Sequence, residues 1–258
     1  MKLDLTGKRA LITAGAGGIG RRTAEMFSEA GAKVFICDID QNQLEDARDK
    51  IPNLNGTITD VSDQLALKDM FEAAIDDLGG LDILVNNAGT AGPTDRVENI
   101  SLEDWQTCID INLTSTFLMT QMAVPYLREA GGGAIINLSS AAGKFGFPMR
   151  SPYSAAKWGI VGFTRTIAIE LGTDRIRCNC IQPGAVEGAR IDRVIKAKAE
   201  AKKVSENAMR DELASIASLK TFVTSDDIAS MILFLCSKAG AHITGQALSV
   251  DGGLEGLV

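Results

Sequence analysis

Tyr153 and Lys157 stand four residues apart, and Ser140 lies thirteen residues before the tyrosine. On a helix that spacing puts phenol and ammonium on one face, one above the other. A free phenol ionises near pH 10, about three units too high for proton transfer at neutral pH. A neighbouring ammonium favours the phenolate and brings that value down. The pair is therefore a candidate general acid and base. A serine hydroxyl at a strand end could hydrogen-bond the oxygen of an alcohol or a carbonyl. Tyr-x-x-x-Lys alone equally describes a surface tyrosine beside a solvated lysine, so the surrounding elements must decide.

The first of those elements is a glycine-rich stretch, Thr13-Ala14-Gly15-Ala16-Gly17-Gly18-Ile19-Gly20. It follows an apolar strand pattern and opens a helical one. Glycines let a backbone approach a pyrophosphate, and a helix N-terminus supplies N–H donors and positive dipole. Ala14, Gly15, Gly17, Gly18 and Ile19 are the candidate contacts. Eighteen residues beyond Gly20, the next strand pattern ends in Asp38. A carboxylate there can accept both hydroxyls of an adenosine ribose and would repel a 2′-phosphate. In the run Asp38-Ile39-Asp40, helix capping is the competing role. Arg21 and Arg22 leave a 2′-phosphate contact open. Asp60 and Val61 follow a third strand where an adenine would lie, and Asp60-x-x-Asp63 is also a helix start. Asn86-Asn87-Ala88-Gly89 and Pro183-Gly184-Ala185-Val186 end two further strands. Asn87, Pro183, Gly184 and Val186 are placed by this reading against the cofactor.

Strand and helix patterns alternate along the chain. Strands are expected at Arg9–Thr13, Lys33–Asp38, Gly56–Asp60, Leu81–Asn86, Ala134–Ser139, Arg177–Gln182 and Gln246–Asp251. Helices are expected at Thr23–Ala30, Gln41–Lys50, Leu65–Leu78, Leu102–Arg128 as one extended element, Tyr153–Leu171, and from Ser225. Continuous apolar strands separated by helices imply a parallel sheet buried on both faces. The expected fold is α/β: a doubly wound seven-stranded parallel sheet, a Rossmann fold in three αβα layers. One domain spans residues 1–258. A charged, helix-prone insertion at about 187–221 reads either as a substrate-binding element or as an exposed amphipathic helix with Ile191, Val194 and Ile195 facing inward.

Composition narrows the function classes. The 258 residues carry 26 Lys and Arg against 33 Asp and Glu, a net charge of −7, and 45% hydrophobic residues. The acidic balance gives no electrostatic footprint for nucleic acid. No apolar run reaches the length of a membrane span, and Met1-Lys2-Leu3-Asp4-Leu5 lacks the apolar core of a signal peptide. Five cysteines scattered through apolar segments read as reduced core residues of a cytoplasmic protein. With His242 the single histidine, neither a zinc site nor a serine hydrolase is expected, and no Gly-x-Ser-x-Gly is present.

Taken together, Thr-Ala-Gly-Ala-Gly-Gly-Ile-Gly, Asp38, Asp60-Val61, Asn-Asn-Ala-Gly, Ile-Asn-Leu-Thr around Asn112, Ser140, Tyr-x-x-x-Lys, Pro183-Gly184 and the terminal Thr-Gly-Gln-Ala-Leu-Ser-Val-Asp-Gly-Gly resemble the short-chain dehydrogenase/reductase superfamily over essentially the whole chain. The resemblance implies an NAD-dependent oxidoreductase that interconverts a secondary alcohol and a ketone. It implies catalytic roles for Asn112, Ser140, Tyr153 and Lys157. Tyr153 would be the acid/base. Lys157 would lower its pKa and hold the nicotinamide ribose. Ser140, preferred by spacing over Ser139, would polarise the substrate oxygen, and Asn112 would hold a water linking Lys157 to solvent. A homotetramer built through the helices Leu102–Arg128 and Tyr153–Leu171 is also implied, with Trp105, Ile109 and Leu113 at the contacts. Two positions depart from the family. Ala14 replaces a glycine, a change that costs little if the local φ is negative. Gly188 stands where a threonine often touches the carboxamide, which shifts that task to the Val186 backbone.

The substrate pocket falls on residues 91–96, 141–150 and 187–221, loops without a chemical signature. Phe145 and Trp158 are expected in the core, and Phe147 at the pocket. Residues 188–220 carry a net charge of +3, against the trend of the chain. Arg150 and Arg190, with Ser140 and Tyr153, are therefore candidate contacts to an anionic hydroxy acid or sugar-type substrate. The competing reading is a lysine-rich solvated helix. A 3-oxoacyl-thioester reductase and a catalytically retired NAD-binding regulator remain alternatives.

Overall fold

The computed structural model describes residues 3–257, apart from the side chains at 189, 190, 197 and 201. Seven parallel strands form one sheet in the order β3-β2-β1-β4-β5-β6-β7. They are β1 (Arg9–Thr13), β2 (Lys33–Asp38), β3 (Asn55–Ile58), β4 (Ile83–Asn86), β5 (Gly133–Leu138), β6 (Ile176–Pro183) and β7 (Ala247–Val250). The helices are α1 (Gly18–Glu29), α2 (Gln41–Lys50), α3 (Gln64–Leu78), α4 (Leu102–Ile109), α5 (Ser115–Glu129), α6 (Ser151–Glu170), α7 (Ala189–Lys202), α8 (Glu206–Ala214) and α9 (Ser225–Cys236).

Because side chains alternate along a strand, each strand feeds both faces of the sheet. Ala10, Ile12, Ile83, Val85, Ala134 and Ile136 face one core with Ala24 and Phe27 of α1 and Ile228, Ile232 and Leu235 of α9. Leu11, Leu84 and Ile135 face the other with Leu67 and Phe71 of α3, Met119 and Leu127 of α5 and Ala168 of α6. That is the three-layer arrangement expected from the sequence. Helix starts follow local chemistry. Asp40 caps α2, Asp63 caps α3 and Ser101 caps α4, and Thr224 and Asp227 form a reciprocal box at α9.

The one extended helix expected over Leu102–Arg128 is present as a continuous helical run with one irregularity. A π-turn at Asp110–Thr114 separates α4 from α5. There the Asn112 amide reaches both the Cys108 carbonyl of its own helix and the Thr90 carbonyl of the loop after β4. The insertion is helical, as its sequence pattern implies. It is two helices over a small core of Ile195, Ala199, Met209 and Phe222. Ile191 packs against that core and Val194 is half-buried. Phe145 and Phe147 are half-buried, and Trp158 is 50% exposed rather than core.

All five thiols are free and buried. Burial pushes Cys37, Cys178 and Cys236 up to about 12 and Cys180 up to about 11, so they are inert packing groups. Among the described residues no helix is long and apolar enough to cross a membrane.

At the N-terminal edge of the sheet, Asp82 accepts from the Arg9 backbone at 3.1 Å, from Arg9 Nε at 2.8 Å and from Lys8 Nζ at 3.2 Å. Burial opposes its charge, but these donors outweigh it and hold the carboxyl below its ordinary value. A depressed carboxylate stabilises the fold above the unfolded pKa, and that stability is lost as pH falls through the folded one. Asp82→Ala should therefore cost about 2 kcal/mol at neutral pH. In urea titrations the gap to wild type should shrink below about pH 4. A gap that does not change with pH would assign the loss to packing instead.

Candidate active site

Strand order reverses direction between β1 and β4, so the chain leaves their carboxyl ends toward opposite faces and opens a crevice there. The turn after β1 forms one wall. Gly15 N–H donates to the Cys37 carbonyl at 2.9 Å. Asn87 donates its amide to the Thr13 and Ala14 carbonyls at 3.0 and 2.9 Å, while the Thr13 hydroxyl accepts from the Asn87 and Ala88 backbone. Asn87 thus braces the turn. A Cβ at Gly20 would meet the Ala14 carbonyl oxygen and lie 2.6 Å from Asn87 Nδ2, and one at Gly15 would lie 2.6 Å from Ile36. Ala14 has φ +49°, so the negative φ under which alanine would cost little is not what the turn adopts. The turn demands a left-handed residue, and alanine adopts that conformation at a cost of about 1 kcal/mol.

Gly17 is the N-cap of α1 and offers no side-chain acceptor, unlike the capped starts of α2, α3 and α4. The first-turn donors of α1, Gly18 and Ile19 included, are left for an anion. Asp38 closes the outer side of the turn. One carboxylate oxygen accepts from Ala16 N–H at 3.0 Å, the other from Asp40 N–H at 3.1 Å. The arginines of α1 are engaged elsewhere. Arg21 pairs with Glu25 and Asp46, and Arg22 with Glu25, Glu29 and Asp226. At the sheet edge, Asp60 accepts from the Ser62 backbone and hydroxyl, while Asp63 rather than Asp60 caps α3. Val61 packs against the core beside it.

The opposite wall carries the candidate proton-handling groups. Lys157 is 4% exposed and donates to the Leu138 carbonyl at 2.8 Å. Its ammonium lies 5.5 Å from the centre of the Tyr153 ring. The tyrosine is half-buried, one helical turn before it on α6. Ser139 and Ser140 separate cleanly. The buried Ser139 hydroxyl donates to the Lys157 carbonyl at 2.8 Å and is spent on the helix. Ser140 is half-buried at the end of β5 and accepts from Ala142 N–H at 3.1 Å. Asn112, fully buried in the π-turn, donates to the Cys108 and Thr90 carbonyls at 2.8 and 3.1 Å. Among the described residues its Oδ1 has no hydrogen-bond partner. A Cβ at Gly89 would lie 2.8 Å from that oxygen and 3.3 Å from Lys157 Nζ. An orphaned acceptor and a buried ammonium thus face the same space over a glycine. These features, with the uncapped α1, fit a dinucleotide laid across the crevice.

At the end of β6, Gly184 is packed so closely that a Cβ would lie 2.8 Å from Asp251 Cα. Beyond Pro183, Val186 pairs with Val223 where the insertion leaves and rejoins the sheet edge. Arg150 donates to the Ala91 carbonyl at 3.1 Å, with Gly92 at 3.4 Å, and lies over Phe147. The Arg190 side chain lies outside the described residues. In the insertion, Arg210 pairs with Asp192, and Lys202 with Glu212.

Sequence reasoning missed the buried partners. Asn86 donates to Asn137 Oδ1 at 2.8 Å, and Asn137 to Thr164 at 2.9 Å, joining β4, β5 and α6 beneath the site. Cys108 lies under Asn112. Burial raises its thiol while the Lys157 charge pulls the other way. Polar residues inside strand patterns were the available signal for Asn86 and Asn137. Cys108 had none.

The family model described as enoyl-(acyl carrier protein) reductase matches residues 14–255. A 3-oxoacyl-(acyl-carrier-protein) reductase of Thermotoga maritima is 35% identical over 98% of this chain and 99% of its own length. Carveol dehydrogenase from Mycobacterium avium, solved in complex with NAD, is 30% identical with a TM-score of 0.91 over 96% of this chain and 98% of its own. L-Sorbose reductase from Gluconobacter frateurii, solved with NADPH and L-sorbose, is 29% identical with a TM-score of 0.93 over 99% of each chain.

Proposed function

The chain belongs to the short-chain dehydrogenase/reductase superfamily, and from that premise we propose that it is an NAD-dependent dehydrogenase interconverting a secondary alcohol and a ketone. It is an oxidoreductase acting on CH–OH groups. The observation that carries the finer reading is the buried Lys157 ammonium, 5.5 Å from the Tyr153 ring in a recess it shares with the unpartnered Asn112 Oδ1.

Bound NAD supplies the hydride acceptor or donor. Ala14, Gly15, Gly17, Gly18 and Ile19 would hold its pyrophosphate, Asp38 its adenosine ribose, and Asp60 and Val61 its adenine. Asn87 would keep the turn in shape. Pro183, Gly184 and the Val186 backbone would meet the nicotinamide end, and Lys157 its ribose. In oxidation, Ser140 hydrogen-bonds the substrate hydroxyl and Tyr153 removes its proton. The Lys157 charge favours the phenolate that does so. Asn112 Oδ1 accepts from a water that returns the proton to solvent. In reduction the same groups run in reverse.

NAD over NADP is supported from two sides. Asp38 places negative charge where a 2′-phosphate would go, and Arg21 and Arg22 are already paired with carboxylates. Absorbance at the reduced-nicotinamide band, with NAD or NADP and a panel of secondary alcohols, tests the reading. Absence of turnover with every alcohol would return the retired-regulator alternative. The relative that reduces a 3-oxoacyl thioester keeps a thioester substrate as the second reading.

For an anionic hydroxy acid or sugar-type substrate, Arg150 is the test. Its bonds to the Ala91 and Gly92 carbonyls support a brace between α6 and the loop after β4. Arg150→Ala should then lower kcat/KM for a hydroxy acid and for its neutral ester in the same ratio. A desolvated arginine–anion contact would instead cost the acid about tenfold or more beyond the ester, from about 1.5–3 kcal/mol.

We place the enzyme in the cytoplasm, with its five thiols reduced, and read it as a homotetramer. Trp105, Phe117 and Trp158 present exposed aromatic surface on α4, α5 and α6. Light scattering at micromolar concentration should give four times the chain mass, and a monomer mass would refute it.

A further inference from the structure

We propose that Lys144 is a positioning residue of the substrate cleft: its ion pair with Asp251 fastens the turn carrying Ser140 to the C-terminal segment on which the insertion rests. The proposal depends on the reading of Ser140 as the group that holds the substrate oxygen.

Ser140 caps a single helical turn, residues 141–143, that Lys144 closes. Gly143 N–H donates to the Ser140 carbonyl at 2.8 Å and Lys144 N–H to the Ala141 carbonyl at 3.0 Å. The position of the serine therefore follows the position of this turn. Lys144 Nζ reaches 3.1 Å from Asp251 Oδ2 and lies 4.9 Å from the centre of the Phe145 ring. The Asp251 side chain is 5% exposed. A carboxylate so enclosed gains from a paired ammonium far more than a surface one does.

The other oxygen of Asp251 accepts from Gly253 N–H at 2.9 Å and Leu254 N–H at 3.4 Å. That folds the C-terminal segment back. The segment in turn holds the far end of the insertion. Leu219 N–H donates to the Gly252 carbonyl and Ser218 N–H to the Gly253 carbonyl, both at 3.0 Å, and the Ser218 hydroxyl adds a bond at 2.9 Å. Ala217 pairs with Leu254. A few residues on, Val223 N–H donates to the Ala185 carbonyl at 3.0 Å, where the insertion closes against the sheet edge. Contacts thus run without a break from the serine turn through Lys144 and Asp251 to residues 217–219. One end of this run is the Ser140 turn, and the other is the far end of the insertion. Deleting the ammonium leaves each side folded by its own backbone bonds and removes the direct side-chain tie between them, while Gln182 Nε2 still holds the turn to β6 through the Gly143 carbonyl at 2.9 Å.

A surface lysine that merely neutralises a capping aspartate is the competing explanation, and it predicts a loss of stability only. Lys144→Met, Lys144→Arg, Asp251→Asn and the Lys144→Met/Asp251→Asn double variant separate the two. With saturating NAD and 3-hydroxybutyrate as probe, Lys144→Met should raise the alcohol KM about fivefold or more, with NAD affinity within about twofold of wild type. Lys144→Arg should restore most of the loss. Asp251→Asn keeps the acceptor for Gly253, so it should match Lys144→Met, and the double variant should be no worse than either single one. Hydrogen exchange supplies a readout that needs no substrate. The Ser218 and Leu219 amides should exchange faster in Lys144→Met, by about fivefold or more, with the amides of β1 and β4 unchanged. A lowered Tm with unchanged KM overturns the proposal, and so does unchanged exchange at Ser218 and Leu219. If wild type does not oxidise 3-hydroxybutyrate, an accepted alcohol of the panel replaces it; if none is accepted, the proposed function has failed, and the exchange result alone decides the role of Lys144.

Discussion

Tyr153→Phe should cost turnover about 10²–10⁴-fold, the range general acid–base work supplies, while NAD binding survives. The aromatic ring is retained, so its contact with the Lys157 ammonium, 5.5 Å from the ring centre, persists. So does the packing of α6, because only the hydroxyl is deleted. Lys157→Met would be a poorer test. That ammonium is buried and also bonds the Leu138 carbonyl at 2.8 Å, so its removal would disturb the strand end as well as the proton chemistry. Steady-state kcat with NAD and an accepted alcohol, beside fluorescence titration of the cofactor, makes the measurement. Retention of more than about a tenth of the wild-type rate would defeat the role given to Tyr153.

Asp38→Ser should lower kcat/KM for NAD by about 10–100-fold, since each hydrogen bond to a charged group contributes roughly 1.5–3 kcal/mol. From sequence alone, the expected effect was a narrowed preference through lost repulsion of a 2′-phosphate. The geometry adds a second and opposing loss. Asp38 accepts from Ala16 N–H at 3.0 Å and Asp40 N–H at 3.1 Å, so its carboxylate also shapes the glycine turn. A serine oxygen reaches at most part of that pattern. NADP should gain little, because Arg21 and Arg22 remain paired with Glu25, Asp46 and Asp226. The gap between the nucleotides should therefore close mainly from the NAD side. A wild type that favours NADP in kcat/KM would overturn the cofactor reading.

Much of the frame can be read from the chain because the signals are local. β1, β2 and α2 begin and end where apolar runs, an aspartate cap and a terminal lysine put them. The alternation of strands and helices was enough for a parallel sheet, and its order follows a regular winding in both directions from β1. Tyr153 and Lys157 were legible for the same reason. Four residues on a helix is a fixed geometry, whatever surrounds it.

The π-turn at Asn112 was not legible, since Leu102–Arg128 has a helical pattern throughout. The turn widens where the Asn112 amide must reach the carbonyls of Cys108 and Thr90, and Thr90 belongs to a different loop. Nor could the sequence tell Ser139 from Ser140 by their partners. Adjacent residues at a strand end point to opposite sides, and only the packed α6 shows that one hydroxyl is taken by the Lys157 carbonyl. Ala14 was open for a related reason. Alanine gives no local warning of a positive φ, which the closure of the turn against Asn87 and Gly20 imposes.

Composition and periodicity by themselves determined that this chain is an α/β protein with a glycine turn, an aspartate at the end of its second strand and a Tyr-x-x-x-Lys face. Each of those depends on residues close in sequence. Tertiary structure alone decided which polar groups are spent and which are left to act. Arg22 is taken by Asp226, 204 residues away, Lys144 by Asp251, 107 residues away, and Arg150 by carbonyls 58 and 59 residues before it. Asn112 Oδ1 is left without a partner beside a buried ammonium. A charge or amide can choose among many partners at comparable energy, and the choice is made only when packing brings distant segments within hydrogen-bond reach and excludes water from the rest.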